Sequence, residues 1–387
     1  MTQGQRRILH VLGSMNPGGV ETWLLHVLEH IERDRFQFDF CVCGTQVGLY
    51  EPEVERLGGR ILRCPKGANP WSFRRRFRRI LSEGNYDVVH SHVHSFSGAL
   101  LRWAKAEGVP IRIAHSHNTH DGRSDSRARR CYRKLMKFWI NRYSTYGLAA
   151  SKPAAMELFG ENWQTDDRFQ ILHYGLDLHP FQKSVDRVAV RAEFGIPPDV
   201  RVIGHVGRFD EQKNHRFLLQ IADAVLKSRR DVHFLLIGDG PLRPEIEDRV
   251  RQMGLSRQIH FVGVRTDVPR LMLAAMDFFL FPSLDEGLGI CLLEAQAAGL
   301  RCLVSDTVPK EVVRVSDSVE FLALSSGKDF WSRKAMEGLD AGRIELVRGL
   351  KSEVQGRFSM QQSLRHLMGL YSTGQSSLRP VTVEQHV

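Results

Sequence analysis

Short apolar runs alternate with amphipathic stretches along most of the chain. An apolar run bounded by turn residues predicts a buried strand, and apolar residues that recur about every 3.6 positions predict a helix. The predicted strands are 8–12, 38–43, 60–63, 88–91, 111–115, 147–150, 169–172, 202–206, 232–237, 259–262, 278–281 and 302–305. The clearest helices are predicted at 21–31, 71–81, 98–107, 127–142 and 358–371. Because helices connect the strands, we expect parallel sheets covered on both faces, as in an α/β protein.

The length of the chain and a break in this pattern predict two domains. The 387 residues exceed the roughly 250–300 residues at which a single core stops growing. The pattern is interrupted between residues 177 and 200, where proline and glycine cluster at Pro180, Gly195, Pro197 and Pro198. We therefore predict two Rossmann-like parallel-sheet domains facing a cleft, at residues 1–180 and 181–355. A helix at 356–372 should return to the first domain, and the polar residues 373–387 should form a disordered tail.

Composition is that of an ordinary globular protein, with 42% hydrophobic and 25% charged residues. No apolar run approaches the ~18 residues of a membrane-spanning helix, and the N-terminus lacks the apolar core of a signal peptide. Six cysteines without paired CxxC spacing are typical of reduced thiols, so a cytoplasmic location is expected. The net charge is +10, and residues 1–180 carry 26 Lys and Arg against 18 Asp and Glu. This basic first half predicts an anionic surface or substrate as partner.

The segment from Glu286 to Glu294 carries the strongest chemical signal. It follows the predicted strand 278–281 and leads into a helix, which is where open α/β sheets bind their ligands. Gly287 and Gly289 allow a ligand to approach the backbone, and a helix N-terminus attracts phosphate. We expect Glu286 in the loop and Glu294 one turn inside the helix, both accepting hydrogen bonds from hydroxyl groups such as those of a sugar.

Three other loops follow predicted strands. Gly18 and Gly19 stand at a helix start and could form an anion nest, although their spacing does not fit the GxGxxG dinucleotide fingerprint. Arg208 and Lys213 follow strand 202–206 and offer a planar fork and a point charge, which suit a diphosphate. The turn Gly238-Asp-Gly-Pro241 needs its glycines whatever binds nearby.

Taken together, these segments resemble the retaining glycosyltransferases of family 4, which have the GT-B fold, and within them the bacterial exopolysaccharide and capsular enzymes. The resemblance runs from residue 8 to about residue 373. Its most specific part is Glu286-x7-Glu294 with the upstream Arg208 and Lys213. The motifs that carry it are Pro17-Gly-Gly-Val-Glu21, Asp87-Val-Val-His-Ser-His92, Arg112-Ile-Ala-His-Ser-His-Asn118, Gly207-Arg208 with Lys213-Asn214, Gly238-Asp-Gly-Pro241 and Glu286–Glu294.

The resemblance implies a metal-independent transfer of sugar from a nucleotide-sugar, such as a UDP- or GDP-sugar, to a lipid-linked or oligosaccharide acceptor. Arg208 and Lys213 would hold the diphosphate and stabilise its leaving charge, in place of a metal or other cofactor. Glu294 would accept the ribose hydroxyls and Glu286 those of the sugar ring. Gly287, Leu288 and Gly289 would contribute backbone N–H groups, and Phe261, Val262 and Gly263 would line the base through backbone contacts. Gly19 would approach the distal phosphate, with Gly18 beside it, and His117 would sit beside the sugar.

Several alternatives stay open at this stage. Glu286 could act as a nucleophile, as in two-carboxylate hydrolases. The chain could instead be a nucleotide-sugar epimerase or phosphorylase on the same fold, or a non-enzymatic basic module that binds membranes or nucleic acid. At Tyr174 the chain departs from the Asn-Gly-Ile-Asp that the family usually has, which puts a role for that turn in doubt.

Histidines alternate at two predicted strand ends, as His90, His92 and His94 and as His115 and His117. Alternation places pairs on one face, where they could bind zinc, but no cysteine or acidic residue nearby in the sequence supplies a third ligand. Hydrogen bonding in the pocket by His117, and also by His92, is the favoured interpretation, and zinc is the alternative.

Two predicted helices are strongly basic. In 71–81, Phe73, Phe77, Ile80 and Leu81 share one arc, and Arg74, Arg75, Arg78 and Arg79 lie opposite. The run 123–142 is also basic. Such faces are either solvated or dock onto an anionic membrane surface. Lipid-linked acceptors would lie at the inner face of that membrane. The aromatic residues of 71–81 are not interleaved with its arginines, so nucleic acid is not expected as a partner.

Overall fold

The computed structural model describes residues 4–67, 69–118, 126–344 and 358–373. The chain divides into two compact units. The first unit is Met1–Gly175 together with Arg357–Val387, and the second unit is Leu176–Gly356.

In its described part the first unit is built on a seven-stranded sheet in the order β3-β2-β1-β4-β5-β6-β7, with parallel neighbours throughout. Its strands are β1 Arg6–Leu12, β2 Phe36–Val42, β3 Arg60–Arg63, β4 Val88–Ser91, β5 Ile111–Ser116, β6 Tyr146–Ala149 and β7 Phe169–Ile171. Its helices up to that point are α1 Gly19–His30, α2 Glu51–Arg56, α3 Pro70–Gly84, α4 Ser97–Ala106, α5 Arg127–Tyr143 and α6 Lys152–Phe159.

The second unit has a six-stranded sheet in its described part, also parallel, in the order β10-β9-β8-β11-β12-β13. Its strands are β8 Arg201–Val206, β9 Val232–Ile237, β10 Ile259–Phe261, β11 Phe278–Phe281, β12 Arg301–Ser305 and β13 Val319–Leu322. Its helices are α7 Arg187–Ala192, α8 His215–Ser228, α9 Arg243–Gln252, α10 Val268–Ala274, α11 Ile290–Ala297 and α12 Lys328–Asp340.

The twelve predicted strands are all present, with ends that shift by up to two residues. Strand β13 was not predicted, because its residues are only partly buried and it carries the exposed Glu320 at the sheet edge, so it lacks an apolar run. Strand β9 shows the opposite case, since all six of its residues are buried and all but His233 are apolar.

The first domain boundary was predicted slightly too late, because residues 176–180 belong to the second unit. The proline-rich stretch that follows is part of that unit's structure and includes α7. Arg187 and Arg191 of α7 both bond the carboxylate of Asp277 next to β11, at 2.5 and 2.7 Å. These ion pairs fix the start of the second unit to its central strands.

The last described element, α13 at Met360–Thr373, belongs to the first unit. Trp23 Nε1 donates to Ser363 Oγ at 3.1 Å, and Arg6 donates to the Ser372 carbonyl at 3.2 Å. Leu367 and Tyr371 of α13 are fully buried. Of the predicted tail, Thr373 ends this helix, and residues 374–387 lie outside the described residues.

The two basic helices differ in how much of their surface is covered. In α3, Phe73, Phe77 and Leu81 are buried in the core and Ile80 packs against it, as the pattern predicted. In α5 only Met136 and Ile140 are buried. Arg123, at the start of the predicted basic run, lies outside the described residues.

None of the helices that the structure describes is both long enough and apolar enough to cross a membrane.

Candidate active site

The order of strands in the second unit identifies a place for a ligand. From β8 the chain adds β9 and β10 on one side and then β11, β12 and β13 on the other, so β8 and β11 flank the point where the order reverses. In open α/β sheets ligands bind at the carboxyl ends of the strands at such a point. The loops after β8 and β11 are the ones that carry Arg208, Lys213 and Glu286.

Lys213 and Glu286 meet directly at this point. Lys213 Nζ lies 2.5 Å from Glu286 Oε1, and the two side chains are 15% and 7% exposed. Burial lowers the pKa of Lys213, but the charge of Glu286 outweighs it and the net pKa is raised, so the ammonium form is favoured. The Nζ atom also lies 4.8 Å from the ring centre of Phe281. The structure therefore pairs a protonated amine with a carboxylate in a largely enclosed place.

The surrounding loops hold this pair in position. Gln212 Nε2 donates to the Asp285 carbonyl at 3.0 Å, and Asn214 Nδ2 donates to the Pro282 carbonyl at 3.1 Å. A side chain at Gly207 would bring its Cβ to 2.9 Å from the Lys213 stem, so glycine leaves the space that the lysine occupies. The two loops are thus linked on both sides of the ion pair.

Glu294 lies one turn inside α11, whereas Glu286 precedes that helix, as the sequence predicted. Burial raises the pKa of Glu294 to about 7, so near neutral pH this carboxyl is divided between its two protonation states. Gly289 is the N-cap of α11 with φ of 84°, a backbone conformation that favours glycine. Leu288 is buried, so its side chain anchors the loop in the core in addition to the backbone contact predicted for this residue.

Arg208 is not part of the enclosed pair. Its side chain is 72% exposed and bonds the Asp210 carboxylate at 2.7 Å. Asp210 also accepts a hydrogen bond from the Lys213 backbone N–H at 3.3 Å, so it connects the two cations through one short loop. In this arrangement Lys213 is fixed and Arg208 stands at the surface.

Close packing against the β8 loop explains why the turn Gly238–Gly240 contains glycines. A Cβ at Gly240 would lie 2.5 Å from the Phe209 carbonyl oxygen, so the turn packs directly on the backbone of the β8 loop. Gly238 N–H donates to the Gly263 carbonyl at 2.8 Å, and Val262 N–H donates to the Leu236 carbonyl at 3.1 Å. The predicted base-contacting residues are therefore joined to the loops at the switch point.

The remaining predicted residues lie in the first unit. Gly18 is the extended N-cap of α1, and Gly19 is the first residue of that helix. His117 follows β5, and both of its ring nitrogens are engaged. Its Nδ1 bonds the Tyr174 hydroxyl and its Nε2 lies 2.8 Å from His92 Nδ1. Tyr174, the departure from the family pattern, thus acts as the partner of His117.

Sequence reasoning missed Gln212, Phe281 and Asp285 as parts of the candidate site. Gln212 stands beside Lys213 in the chain, so the position of its neighbour was the available signal. The contact of Lys213 with Phe281 joins residues 68 positions apart in the numbering, and no local pattern predicts it.

Comparison with known proteins shows the family to which the chain belongs. Residues 18–175 match the family model described as glycosyl transferase 4-like domain, and residues 200–329 match that of glycosyl transferases group 1. The chain is 35% identical over 381 residues to the putative glycosyltransferase EpsF of Bacillus subtilis, covering 96% of this chain and 98% of that protein. This chain belongs to the glycosyltransferases. Lys213, Glu286 and Glu294 lie within the residues that match the glycosyl transferases group 1 model.

Two further similarities describe this glycosyltransferase. It is 26% identical over 315 residues to the capsular polysaccharide biosynthesis glycosyltransferase CapH of Staphylococcus aureus, covering 79% of this chain and 82% of that one. A crystal structure of Anabaena Alr3699/HepE in complex with UDP and glucose has a TM-score of 0.76 at 17% identity, covering 95% and 100% of the two chains. The predicted fold class, two parallel-sheet α/β domains of the GT-B kind, is confirmed.

Proposed function

We propose that this glycosyltransferase moves a sugar from a nucleotide-sugar to a lipid-linked or oligosaccharide acceptor in surface polysaccharide synthesis. We propose further that it retains the anomeric configuration and uses no metal at the donor diphosphate. The observation that carries the proposal is the enclosed pair of Lys213 and Glu286 at the switch point of the second sheet. A sugar diphosphate needs a cation for its phosphates and a hydrogen-bond acceptor for its sugar hydroxyls. Lys213 and Glu286 provide the two side by side.

Lys213 would act on the leaving group. Its raised pKa keeps it protonated, and its low exposure makes its charge more effective than it would be in water. When a diphosphate binds, Lys213 would exchange part of its interaction with Glu286 for the phosphate oxygens. Because negative charge on the diphosphate grows as the glycosidic bond breaks, this contact strengthens in the transition state. Arg208, at the surface of the same loop, would add a second cation once it leaves Asp210.

Glu286 would accept hydrogen bonds from the sugar hydroxyls, and Glu294 those from the ribose. Ribose hydroxyls that donate to Glu294 favour its ionised form, so donor binding should lower a pKa that burial has raised to about 7. For the transfer step, the leaving diphosphate would take the proton of the acceptor hydroxyl on the same face of the sugar. No covalent bond to Glu286 is then needed. The solved relative that binds UDP and glucose supports a uridine nucleotide as the first donor to try.

The proposed acceptor calls for contact with a membrane surface, and α5 supports it. Phe138 and Leu135 are 62% and 45% exposed and lie on the same helix as the exposed Arg130 and Lys134. Helix α3 adds Trp71, which is 72% exposed beside Arg74 and Arg75. Exposed apolar side chains among cations are typical of surfaces that lie in the interface of an anionic bilayer. The similarity to CapH, a capsular polysaccharide biosynthesis glycosyltransferase, supports a surface polysaccharide as the product.

Transfer measured in the presence of EDTA tests the metal-independent site. We expect turnover from a UDP-sugar to survive the chelator. Lys213→Met and Arg208→Ala should each lower kcat by at least about 10²-fold, the effect of losing one transition-state donor. Lys227→Met, which removes an exposed lysine of α8 paired only with Asp223 at 2.7 Å among the described contacts, is the matched control and should keep wild-type turnover.

Full activity of Lys213→Met would contradict the proposal, and so would a wild-type activity that is lost with EDTA and restored by Mg²⁺ or Mn²⁺. The anomeric configuration of the product, read by NMR, tests retention separately. An inverted product would exclude the same-face transfer while leaving the donor site intact.

A further inference from the structure

Five histidines gather in the first unit at the carboxyl ends of three adjacent strands. His10 lies on β1, His90 on β4 and His115 on β5, and His92 and His117 follow β4 and β5 directly. His10, His90 and His115 are fully buried, and His117 is 8% exposed. The sequence showed two pairs without a third ligand. The structure supplies that third residue from β1, about 80 positions earlier in the chain.

The ring nitrogens in this histidine cluster point at one another. His10 Nδ1 lies 3.1 Å from His92 Nε2, and His90 Nε2 lies 3.2 Å from His115 Nδ1. Two ligand nitrogens on one tetrahedral zinc ion are about 3.3 Å apart, given Zn–N distances of ~2.0–2.1 Å. Two sets of three histidines have ligand atoms that all lie within 4.8 Å of one another. These sets are His10 with His90 and His92, and His92 with His115 and His117.

We propose that His10, His90 and His92 bind one divalent transition-metal ion. Imidazole nitrogens without thiolate or carboxylate ligands favour Zn²⁺, Ni²⁺ or Cu²⁺ over Mg²⁺ or Ca²⁺. The three side chains come from the adjacent strands β1 and β4, in which His10 and His90 are paired in register. The ion would therefore join the two central strands of the first sheet.

The second nitrogens of two ligands already have hydrogen-bond partners. His90 Nδ1 lies 2.7 Å from the Tyr371 hydroxyl, and His92 Nδ1 lies 2.8 Å from His117 Nε2. Such outer partners fix which nitrogen faces the metal. His10 Nε2 is buried and has no hydrogen-bond partner among the described residues, so the cluster in its present form leaves a polar atom unsatisfied.

More of this set lies on strands than of the set that contains His115 and His117. His10 and His90 lie within β1 and β4, whereas in the other set only His115 lies within a strand. Ligands on strands are held more precisely than ligands on loops, which favours the first set. His92 belongs to both sets, so its ring can serve only one of them at a time.

The metal content of the full chain tests the proposal, with protein purified without metal-affinity resin. The protein is equilibrated with zinc chloride, dialysed, and analysed by plasma mass spectrometry. We expect about one zinc per chain in the wild type, with the three histidines leaving the fourth tetrahedral position for water or another ligand. Cobalt as a probe should give the visible absorption of a tetrahedral ion. His10→Phe and His92→Phe should each lose the metal, and His115→Phe should keep it. His233→Phe, which removes one of a buried histidine pair in the second unit, is the control and should also keep it.

The wild-type result alone can overturn the proposal: a chain that retains no zinc and gives no cobalt spectrum does not have the metal site. Loss of metal in His115→Phe with retention in His10→Phe overturns this assignment in favour of the other set. Circular dichroism confirms folding of each variant, and His10→Asn replaces His10→Phe if the larger side chain prevents folding. These measurements do not depend on the donor, because Lys213 and Glu286 belong to the second unit.

Discussion

Glu286 and Glu294 are the same residue type eight positions apart, yet their surroundings give them different properties. Glu286 lies in a loop, with its Oε1 2.5 Å from Lys213 Nζ. Glu294 lies inside α11, where burial raises its pKa to about 7. A single motif therefore contains one carboxylate in a direct ion pair and one carboxyl that titrates near neutral pH.

This difference predicts different kinetic defects for Glu286→Gln and Glu294→Gln. A contact to the sugar ring should strengthen as positive charge develops there, so Glu286→Gln should mainly lower kcat, by about 10²-fold. A contact to the ribose is made equally in the ground and transition states, so Glu294→Gln should mainly raise KM. Steady-state kinetics at saturating acceptor separate the two. Equal effects on kcat and KM in both variants would show that this assignment of roles is wrong.

At the residue scale, the sequence predicted where these side chains lie better than it predicted their contacts. Glu286, Glu294 and Lys213 lie at the switch point as expected. The ion pair between Lys213 and Glu286 was not foreseen, because it joins loops that only the pairing of β8 with β11 brings together. Arg208 was expected to act together with Lys213, but its side chain is turned to the surface by Asp210, two residues away.

At the scale of elements, periodicity predicted the strands and helices because most of them bury an apolar run or stripe. Helix α3 is a good example, since its buried face repeats every three or four residues. What periodicity could not reveal was how the exposed charges pair. Arg78 bonds Glu107 of the segment after α4, and Arg79 bonds Glu83 at 2.7 Å. Among the described residues Arg74 and Arg75 have no such ion pair, and Arg74 lies over the Trp71 ring at 5.7 Å. These two arginines therefore contribute more to the positive face of α3.

Reversing the charges of α3 tests its proposed contact with anionic lipid. The variant carries Arg74, Arg75, Arg78 and Arg79 changed to Glu. Each cation near such a surface contributes about 1 kcal/mol, so binding to anionic vesicles should become undetectable. Wild-type binding should rise with anionic lipid content and fall with salt, because the attraction is screened over ~10 Å at 0.1 M ionic strength. Vesicle co-sedimentation measures both.

The control for this experiment is a reversal of Arg249 and Arg251 on α9, which are exposed and ion-paired to Glu245 and Asp248. It should leave vesicle binding unchanged. The apolar side of α3 stays in the core, so the reversed variant should remain folded and bind donor normally. Failure of the wild type to bind anionic vesicles at low salt would mean that these arginines are only solvated.

At the scale of the whole molecule, buried histidines make stability depend on pH. In the second unit, burial lowers the pKa of His205 well below its usual value and that of His215 to about 3, with the charge of Lys213 acting in the same direction on both. The hydrogen bond from His205 to the Leu280 carbonyl acts in the opposite direction, but burial outweighs it. Both rings are therefore neutral in the folded protein at pH 5, whereas in the unfolded chain they are protonated below about 6.5.

The unfolded state therefore binds more protons, and the free energy of unfolding should fall as pH drops below about 6.5. The loss should approach 1.4 kcal/mol per pH unit for each fully buried histidine. Glu294 changes the free energy of unfolding in the opposite direction, because burial raises its pKa and the folded state therefore binds its proton more tightly than the unfolded chain does. Urea unfolding at pH 7.5 and 5.0, with exchange of the β8 and β11 amides followed by mass spectrometry, measures the change. His215→Phe should reduce the slope by about one proton, and a free energy that is constant over this range would contradict the argument.

Helix α13 has a consequence for how the protein is made. The first unit is completed by residues that the ribosome adds only after the whole second unit, because Ser363 and Tyr371 bond Trp23 and His90 from the far end of the chain. During synthesis the surface of α1 and β1 that α13 covers stays open while about 180 further residues emerge, although domains usually fold in the order of synthesis. Closing so long a loop costs chain entropy that local contacts do not offset. The first unit is thus the earliest to be synthesised and the last to be finished.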